Sequence, residues 1–214
     1  MKKIPPVAKI PLNKLVYDIL VDSIVKGDIP LGTELREQHI AKQLEVSTTP
    51  VREAFKRLES DGLIEIIPYC GAVVRGLDPK EITEAYACRE ALEHLVVQEA
   101  IHRFTPKDGE QLYELLERFR TAQGIADISS ISQQFDDYLY ALSGNQTLTN
   151  LLGSLRKIIS RDRKYSAGSP ERQSAIYQEH RAIVDAIVQG DVDAAKQAVS
   201  RHIQNGASYI KAKQ

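Results

Sequence analysis

A single short stretch of the 214-residue chain, LIEIIPYCGAVVRG at residues 63–76, carries a β-strand pattern. Its Ile and Val residues lie on both sides of the turn-like segment from Pro68 to Gly71, and this arrangement predicts a β-hairpin. Most of the remaining chain has apolar residues at the three- and four-residue spacing of amphipathic helices. The fold is therefore predicted to be mainly α, with one small hairpin.

Three predicted helices precede the hairpin. The first covers Leu12 to Lys26. The second has apolar positions at helical spacing, namely Leu35, Ile40, Ala41 and Leu44. Ser47 is the predicted N-cap of the third helix, where its hydroxyl would accept free amide hydrogens of the first turn, and Gly62 ends that helix. Three helices followed by a hairpin are the elements of a winged helix-turn-helix, whose third helix enters the major groove of DNA.

The chain beyond a predicted boundary at Gly76 to Pro79 is expected to be entirely helical. Asp78 is a predicted N-cap, and Pro79 suits the first position of a helix. Turn-forming residues separate six predicted helices at about residues 79–104, 107–123, 128–143, 146–166, 171–189 and 191–211. We therefore expect two domains, a winged helix-turn-helix over residues 1–76 and an all-α helical bundle over residues 77–214.

Composition narrows the class of protein without indicating its partner. The content of 43% hydrophobic and 27% charged residues is typical of soluble globular chains. Cys70 and Cys88 are too few for a disulfide framework, so a cytoplasmic location is expected. No stretch approaches the roughly 18 apolar residues of a membrane span. The formal net charge of -1 means that any case for DNA binding must rest on local placement of cations.

The segment from Lys26 to Arg75 resembles the winged helix of the GntR family of transcription regulators. It carries the signature residues of that family in order: Gly32, Leu35, Ala41, Val46-Ser47, Pro50-Val51-Arg52-Glu53-Ala54, Leu58, Gly62-Leu63 and Gly71. The later helices resemble the FCD effector domain of the FadR subfamily in its six-helix, VanR-like form. The matching pieces are Arg89, Ser143-Gly144-Asn145, Glu179-His180-Arg181-Ala182-Ile183 and His202.

The resemblance implies contacts between the N-terminal domain and DNA. The recognition-helix positions that it points to are Ser47, Thr48, Thr49 and Arg52, and the backbone contacts are Arg36 and the wing-tip Gly71. Family members often have Arg where this chain has Thr48, and Thr cannot make the bidentate contact that Arg makes with guanine. The alternative is that Ser47 only caps its helix and that Arg52 is only a solvated charge.

The resemblance also implies a divalent metal in the helical domain. Members of the subfamily commonly hold it with an Asp and a His four residues apart and with two further His on the last two helices. The matching positions here are Ser132, Asp136, His180 and His202. Asp136, His180 and His202 could still hold zinc, nickel or manganese, with open coordination positions for water or an acid. The alternative is that both histidines are ordinary core residues.

Arg89 is the predicted effector-binding residue, because a guanidinium can bind a carboxylate in a bidentate manner. Its alternative is an ion pair with Glu93, four residues later on the same helix.

The leading hypothesis is a sequence-specific DNA-binding regulator that acts as a repressor. Its affinity for the operator would be controlled by a small carboxylate. It would bind a palindromic operator as a homodimer, associate with the nucleoid when bound to DNA, and have no enzymatic activity.

Two other functions remain open from the sequence. A metal-dependent hydrolase could use Asp136, His180 and His202, because catalytic metal sites also keep a coordination position open. No general base or nucleophile is evident beside that set. A winged helix used only for contacts with protein is the third possibility, and its association with random DNA would be negligible even at low salt.

Overall fold

A computed structural model of the protein describes residues 11–68, 70–75 and 79–212. The chain divides into two compact units, Met1–Arg75 and Gly76–Gln214. The predicted N-cap Asp78 and its neighbours Gly76 and Leu77 lie outside the described residues. Among the residues that are described, no helix is both long and apolar enough to cross a membrane.

In its described residues, the first unit contains three helices and a three-stranded sheet. Its elements in chain order are α1 (Leu12–Lys26), β1 (Glu34–Leu35), α2 (Glu37–Gln43), α3 (Thr48–Ser60), β2 (Ile64–Ile67) and β3 (Gly71–Val74). Helix α1 ends at Gly27, which has the left-handed φ of 85° that a C-terminal glycine commonly adopts. The bounds of α1 and the stop of α3 before Gly62 agree with the prediction from the sequence.

The sheet has the strand order β1-β3-β2, with both pairs antiparallel. In the predicted hairpin Ile64 lies opposite Val74, and Ile67 lies opposite Gly71. Strand β1 was not predicted, because two residues are too few to produce a visible alternation of side chains. Leu35, predicted to lie in the second helix, belongs to this strand and lies opposite Ala72.

The core of the first unit lies between α1 and α3. The buried side chains of α1 are Val16, Tyr17, Leu20, Val21 and Ile24, and those of α3 are Val51, Ala54, Phe55 and Leu58. The four α3 residues are those that helical spacing predicts for its inward face. Burial of this stripe leaves the polar side of α3 exposed, so packing fixes which residues can face a partner.

The second unit is a bundle of seven helices in its described part. They are α4 (Pro79–Arg103), α5 (Pro106–Thr121), α6 (Ile125–Leu142), α7 (Gln146–Ser154), α8 (Arg156–Ala167), α9 (Pro170–Gln189) and α10 (Val192–Lys211). Helix α10 packs against α4 and α9, α5 packs against α6 and α9, and α6 also packs against α8. The mainly helical fold class with a small antiparallel sheet is confirmed.

The predicted fourth helix of this domain, at residues 146–166, is in fact two helices. The chain leaves helical geometry at Leu155, which has φ -86° and ψ -1° and closes α7 with a bond from its N–H to the carbonyl of Leu152. Gly153 precedes this point by two residues, but it lies inside α7 without a positive φ, and no proline is near, so the break was not predicted. Its consequence is a separate α8, which packs on α6, α9 and α10.

Candidate functional site

The first turn of α3, at Ser47 to Thr49, is accessible on the surface of the first unit. Ser47 occupies the N-cap position with extended backbone, φ -72° and ψ 164°, but its hydroxyl makes no capping hydrogen bond, in contrast to the prediction. Water can satisfy free amide groups at an exposed helix start, so the helix does not depend on this cap. Ser47 and Thr49 are exposed and Thr48 is half-buried. The amides of this turn and the positive end of the helix dipole suit a phosphate.

Arg52 lies one turn into α3 and is held by a side chain of α2. Its Nε donates to both carboxylate oxygens of Glu37 at 3.1 and 3.0 Å, and its Nη2 donates to Oε2 at 2.8 Å. The guanidinium remains largely exposed, with 61% of its side chain accessible. Arg52 is therefore oriented without being covered, and its Nη1 is available to a partner.

Arg36 and Gly71 are brought together beside an open groove between α2 and the β2–β3 hairpin. Arg36 directly precedes Glu37, and three-quarters of its side chain is exposed. Gly71 has φ 104°, and a Cβ at this position would lie 2.5 Å from the carbonyl oxygen of Leu35. Glycine is thus required where β3 passes close to β1. The six residues that the family resemblance assigned to DNA contact lie on α3, at the start of α2 and at the start of β3.

Two contacts in this unit were missed from the sequence. Glu37 has no spacing relationship to Arg52, since the two are 15 residues apart on different helices. Arg57 on α3 has its guanidinium carbon 3.9 Å from the centre of the Tyr17 ring. Because Tyr17 is buried and its hydroxyl donates to Asp61, this stack joins α3 to the core.

In the second unit, the three predicted metal ligands come together. Asp136 on α6, His180 on α9 and His202 on α10 line one small enclosed cavity of about 10 Å³. The ring of His180 stacks on Phe135 with centroids 4.3 Å apart and is tilted against the ring of His202 at 4.7 Å. Burial lowers the pKa of His180 well below its usual value, so the imidazole is neutral at pH 7.

Asp136 is bound by cationic side chains. Arg163 on α8 donates from Nη2 to Oδ2 of Asp136, and Nη2 of Arg89 on α4 lies 3.7 Å from the same oxygen. Burial alone raises the pKa of the Asp136 carboxyl, but the two guanidinium groups outweigh it and hold the pKa below its usual value. The carboxylate is therefore ionised, and its charge is already balanced.

Arg89 forms an ion pair with Glu93, which is the alternative that the sequence left open beside a role in effector binding. Its Nε donates to Oε1 of Glu93 at 2.7 Å, and the Tyr140 hydroxyl donates to the same oxygen at 2.7 Å. Both Arg89 and Glu93 are buried. The pair does not exclude the predicted role, because only one nitrogen of Arg89 takes part in it.

Arg172 on α9, which is buried like Arg89, was not identified from the sequence. It forms a two-pronged pair with Glu179, with distances of 2.6 and 3.0 Å from Nη1 and Nη2. His202 Nδ1 lies 2.8 Å from Glu179 Oε2, and Asn205 Nδ2 donates to Oε1 at 2.8 Å. Burial raises the pKa of Glu179, but hydrogen bonds from His202 and Arg172 lower it to about 2. Glu179 thus holds both Arg172 and His202 in place.

The three arginines line a second cavity, of about 40 Å³. Its other polar side chains include Asp136, His202, Ser132 and Ser166, and Gly206 forms part of its wall. Arg163 and Arg172 occur in a charge-rich segment, RKIISRDRKYSAGSPER at residues 156–172, which resembles an ordinary solvated helix face. Only the packing of α8 and α9 brings them inward.

The set of Asp136, His180 and His202 has features both for and against binding a divalent metal. The unpartnered Nδ1 of His180 and the carboxylate behind His202 are features of metal-binding histidines. However, the one carboxylate of the set already balances two guanidinium groups, which would repel a dication. Within residues 11–68, 70–75 and 79–212, no group of three His, Cys, Asp or Glu side chains is arranged to hold a metal ion. In this arrangement the residues do not fit a metal, and the metal site stays an unconfirmed prediction.

Comparison with protein families assigns both units. Residues 12–74 match the family of bacterial regulatory proteins designated gntR, and residues 84–205 match the FCD domain. The two matches together cover most of the chain and confirm the resemblance inferred from the signature residues. Both families consist of transcription regulators rather than enzymes, so the hydrolase alternative gains no support.

Individual relatives agree with this assignment. The chain is 32% identical to a probable D-xylose utilization operon transcriptional repressor of Paenarthrobacter nicotinovorans, over 92% of this chain and 86% of that protein. It is 28% identical to the transcriptional repressor RspR of Escherichia coli strain K12, over 94% and 90%. The solved structure of E. coli McbR/YncC shares the fold, with a TM-score of 0.65 at 22% identity, over 96% of this chain and 99% of that one. The chain therefore belongs to the gntR family of bacterial regulatory proteins and is a DNA-binding transcription regulator with an FCD domain.

Proposed function

We propose that this regulator is a repressor that binds a palindromic operator as a homodimer and is released from it by a small carboxylate. One winged helix reads one half-site, so a two-fold symmetric dimer suits a palindrome. Two relatives that match nearly the whole chain are named repressors, which supports this direction of regulation. The expected location is the cytoplasm, with nucleoid association in the DNA-bound state.

The observation that carries the proposal is the arrangement at the start of α3. The exposed Ser47–Thr49 turn offers amide and hydroxyl groups, and Arg52 projects from the next turn in an orientation fixed by Glu37. Amides at a helix N-terminus suit phosphate, and an oriented guanidinium suits the edge of guanine in the major groove. Arg36 and the hairpin beside α2 are positioned to contact the DNA backbone.

Control by an effector is supported by the second unit. A cavity lined by buried arginines is suited to an anion, and a bound anion can shift a regulator between two states only if it binds them with different affinity. We infer that the state with the cavity occupied holds the two DNA-binding units of the dimer in positions that no longer match the half-site spacing. This links the carboxylate to release of the operator.

The test begins by selecting bound fragments from the genome of the source organism and measuring affinity by fluorescence anisotropy. Arg52→Ala is expected to weaken operator binding by about 10- to 100-fold and to relax the preference for one base, since a bidentate base contact is worth about 1–3 kcal/mol. Lys56→Ala on the exposed side of α3 is the matched control, because it removes the same charge.

The control variant should weaken binding to all sequences alike and reduce the salt slope by about 1. Equal losses in both variants, with no change in base preference, would show that Arg52 only contacts phosphate. If random DNA is not bound at all at low salt, the winged helix serves contacts with protein and the proposed function is wrong. Sedimentation of the free protein and of its operator complex tests the dimer.

A further inference from the structure

The cavity between α4, α6, α8, α9 and α10 has more hydrogen-bond donors than acceptors. Arg89, Arg163 and Arg172 each carry five N–H donors. Hydrogen bonds to described residues engage one nitrogen of Arg89, one of Arg163 and two of Arg172. Nε of Arg172 is buried and has no partner among the described residues. A buried donor of a charged group that makes no hydrogen bond raises the free energy of the folded state. A ligand that brings an acceptor to such a donor would therefore be bound favourably.

Around the described part of the cavity, three carboxylates match the three arginines, and Asp136 is shared between Arg163 and Arg89. Arg89 faces Glu93, Arg172 faces Glu179, and Arg163 faces Asp136. A dication would add two positive charges to a set whose carboxylates already serve guanidinium groups. A monoanion adds one negative charge where unsatisfied N–H groups remain, and it brings only acceptors. A dianion such as sulfate would add two negative charges to the same set, so the charge balance also favours a monocarboxylate over sulfate.

We propose that this cavity binds a small monocarboxylate directly through the guanidinium groups of Arg89, Arg163 and Arg172, without a metal ion. The inference rests on the proposed effector-controlled function and specifies the chemistry of its ligand site. Asp136, which a metal would need as its carboxylate ligand, instead accepts from Nη2 of Arg163 on α8. The carboxylate oxygens accept from Arg163 and Arg172, while Asp136 and Glu179 hold those two side chains in place.

The size of the cavity limits the ligand. About 40 Å³ accommodates a carboxylate group with at most a few further atoms. Gly206 on α10 borders this space, since a Cβ there would lie 3.3 Å from Tyr86 Cε1 and 3.8 Å from Arg172 Nη2. A methyl group at Gly206 would therefore compete directly with the ligand. The glycine leaves room in the cavity rather than supplying a turn.

The experiment uses the full-length chain, treated with EDTA, dialysed and shown by elemental analysis to contain no zinc, nickel or manganese. Titration calorimetry with acetate should give saturable binding of one anion per chain, whereas neutral acetamide of the same shape should not bind. Sulfate should bind more weakly than acetate. Arg163→Gln and Gly206→Ala should each weaken acetate binding at least tenfold.

Gly153→Ala on α7 is the matched control for Gly206→Ala. Both change a helical glycine to alanine, but no described atom lies within 4 Å of a Cβ at Gly153, so acetate affinity should be unchanged. Gly206→Ala also serves where Arg163→Gln impairs folding, which thermal melting followed by circular dichroism will report. Unchanged acetate affinity in a folded Gly206→Ala variant would place the anion elsewhere and overturn the assignment.

Three further outcomes would overturn the inference. Acetate binding that appears only after zinc, nickel or manganese is added would establish a metal site instead. Tighter binding of sulfate than of acetate would overturn the carboxylate assignment. No saturable anion binding at all would mean that the arginines are purely structural. Each of these leaves operator binding by the same preparation intact, so failure of this inference is distinct from failure of the DNA-binding part of the proposed function.

Discussion

Arg52 and Glu37 form a forked ion pair that joins the recognition helix to the helix before it. Three N···O distances of 2.8 to 3.1 Å connect the two side chains. An exposed pair of this kind contributes little to stability. Under the proposed function its value lies in orientation, because a guanidinium held in one direction before DNA binds loses less entropy on binding.

Glu37→Gln should therefore reduce specificity more than affinity. Without the carboxylate, Arg52 samples more rotamers, while loss of a negative charge favours every DNA sequence alike. We expect the ratio of operator to random-DNA affinity to fall by about tenfold, in keeping with a base contact worth roughly 1–3 kcal/mol. Anisotropy titrations with both DNAs at two salt concentrations measure this ratio. An unchanged ratio would mean that the pair breaks on binding.

Gly71→Ala should destabilise the wing and weaken DNA binding. The new Cβ would lie 2.5 Å from the Leu35 carbonyl oxygen at a residue with φ 104°. We expect a loss of about 2–3 kcal/mol, of which roughly 1–2 comes from the left-handed backbone alone. Gly32→Ala is the control, because it shares a positive φ of 79° but has no described atom within 4 Å of its Cβ. Urea unfolding should show the larger loss for Gly71→Ala; equal losses would contradict the clash.

Tyr17→Phe tests the buried hydrogen bond to Asp61. Burial and the Asp61 carboxylate raise the pKa of the Tyr17 phenol far above its usual 10, so the folded state keeps its proton. The variant should lose about 1–3 kcal/mol at pH 7. Because the folded-state pKa is raised, this stabilisation is complete below pH 10 and is lost at about 1.4 kcal/mol per unit as the pH rises further.

The check is urea unfolding of parent and variant at pH 8, 10 and 11. The difference between their free energies of unfolding should be constant from pH 8 to near 10 and should shrink by about 1 kcal/mol by pH 11. Other tyrosines titrate in both proteins and cancel in the difference. A gap that stays the same at pH 11 would show that Tyr17 ionises as an exposed phenol does.

Glu179→Gln should destabilise the helical unit strongly. The change removes the charge that balances buried Arg172 and that accepts from His202. Removing one partner of a buried ion pair costs about 3–5 kcal/mol, because the other charge is left uncompensated. Glu110→Gln, at an exposed position of α5, should cost less than about 0.5 kcal/mol. Thermal melts of the two variants should therefore differ by several degrees, and similar melting temperatures would mean that solvent reaches Arg172.

Local patterns were sufficient for much of the fold. The spacing of apolar residues predicted α1 and the inward face of α3, and the Ile and Val residues around Pro68 predicted the hairpin. These features follow from side-chain periodicity and from turn residues, which are local properties of the sequence. The signature residues from Gly32 to Gly71 pointed to the family, and both family matches bear this out.

Local sequence patterns did not predict the break between α7 and α8 at Leu155. No glycine or proline with a special φ marks it, and both flanking segments have helical spacing. After the break, α8 packs on α6 and α9, contacts that lie far from α7 in the chain. Tertiary packing overrides a local preference that favours one longer helix.

The sequence by itself determined most of the helical segments, which of their faces are apolar and which family signatures they carry. Only the tertiary structure decided the partners of the polar side chains, because long-range neighbours leave no periodic trace in a chain. Arg163 and Asp136 are 27 residues apart, and Arg52 and Glu37 are on different helices. Burial is the physical reason for these pairs. A charge enclosed by packed helices is stabilised only by an opposite charge or a ligand, whereas water stabilises a charge at the surface.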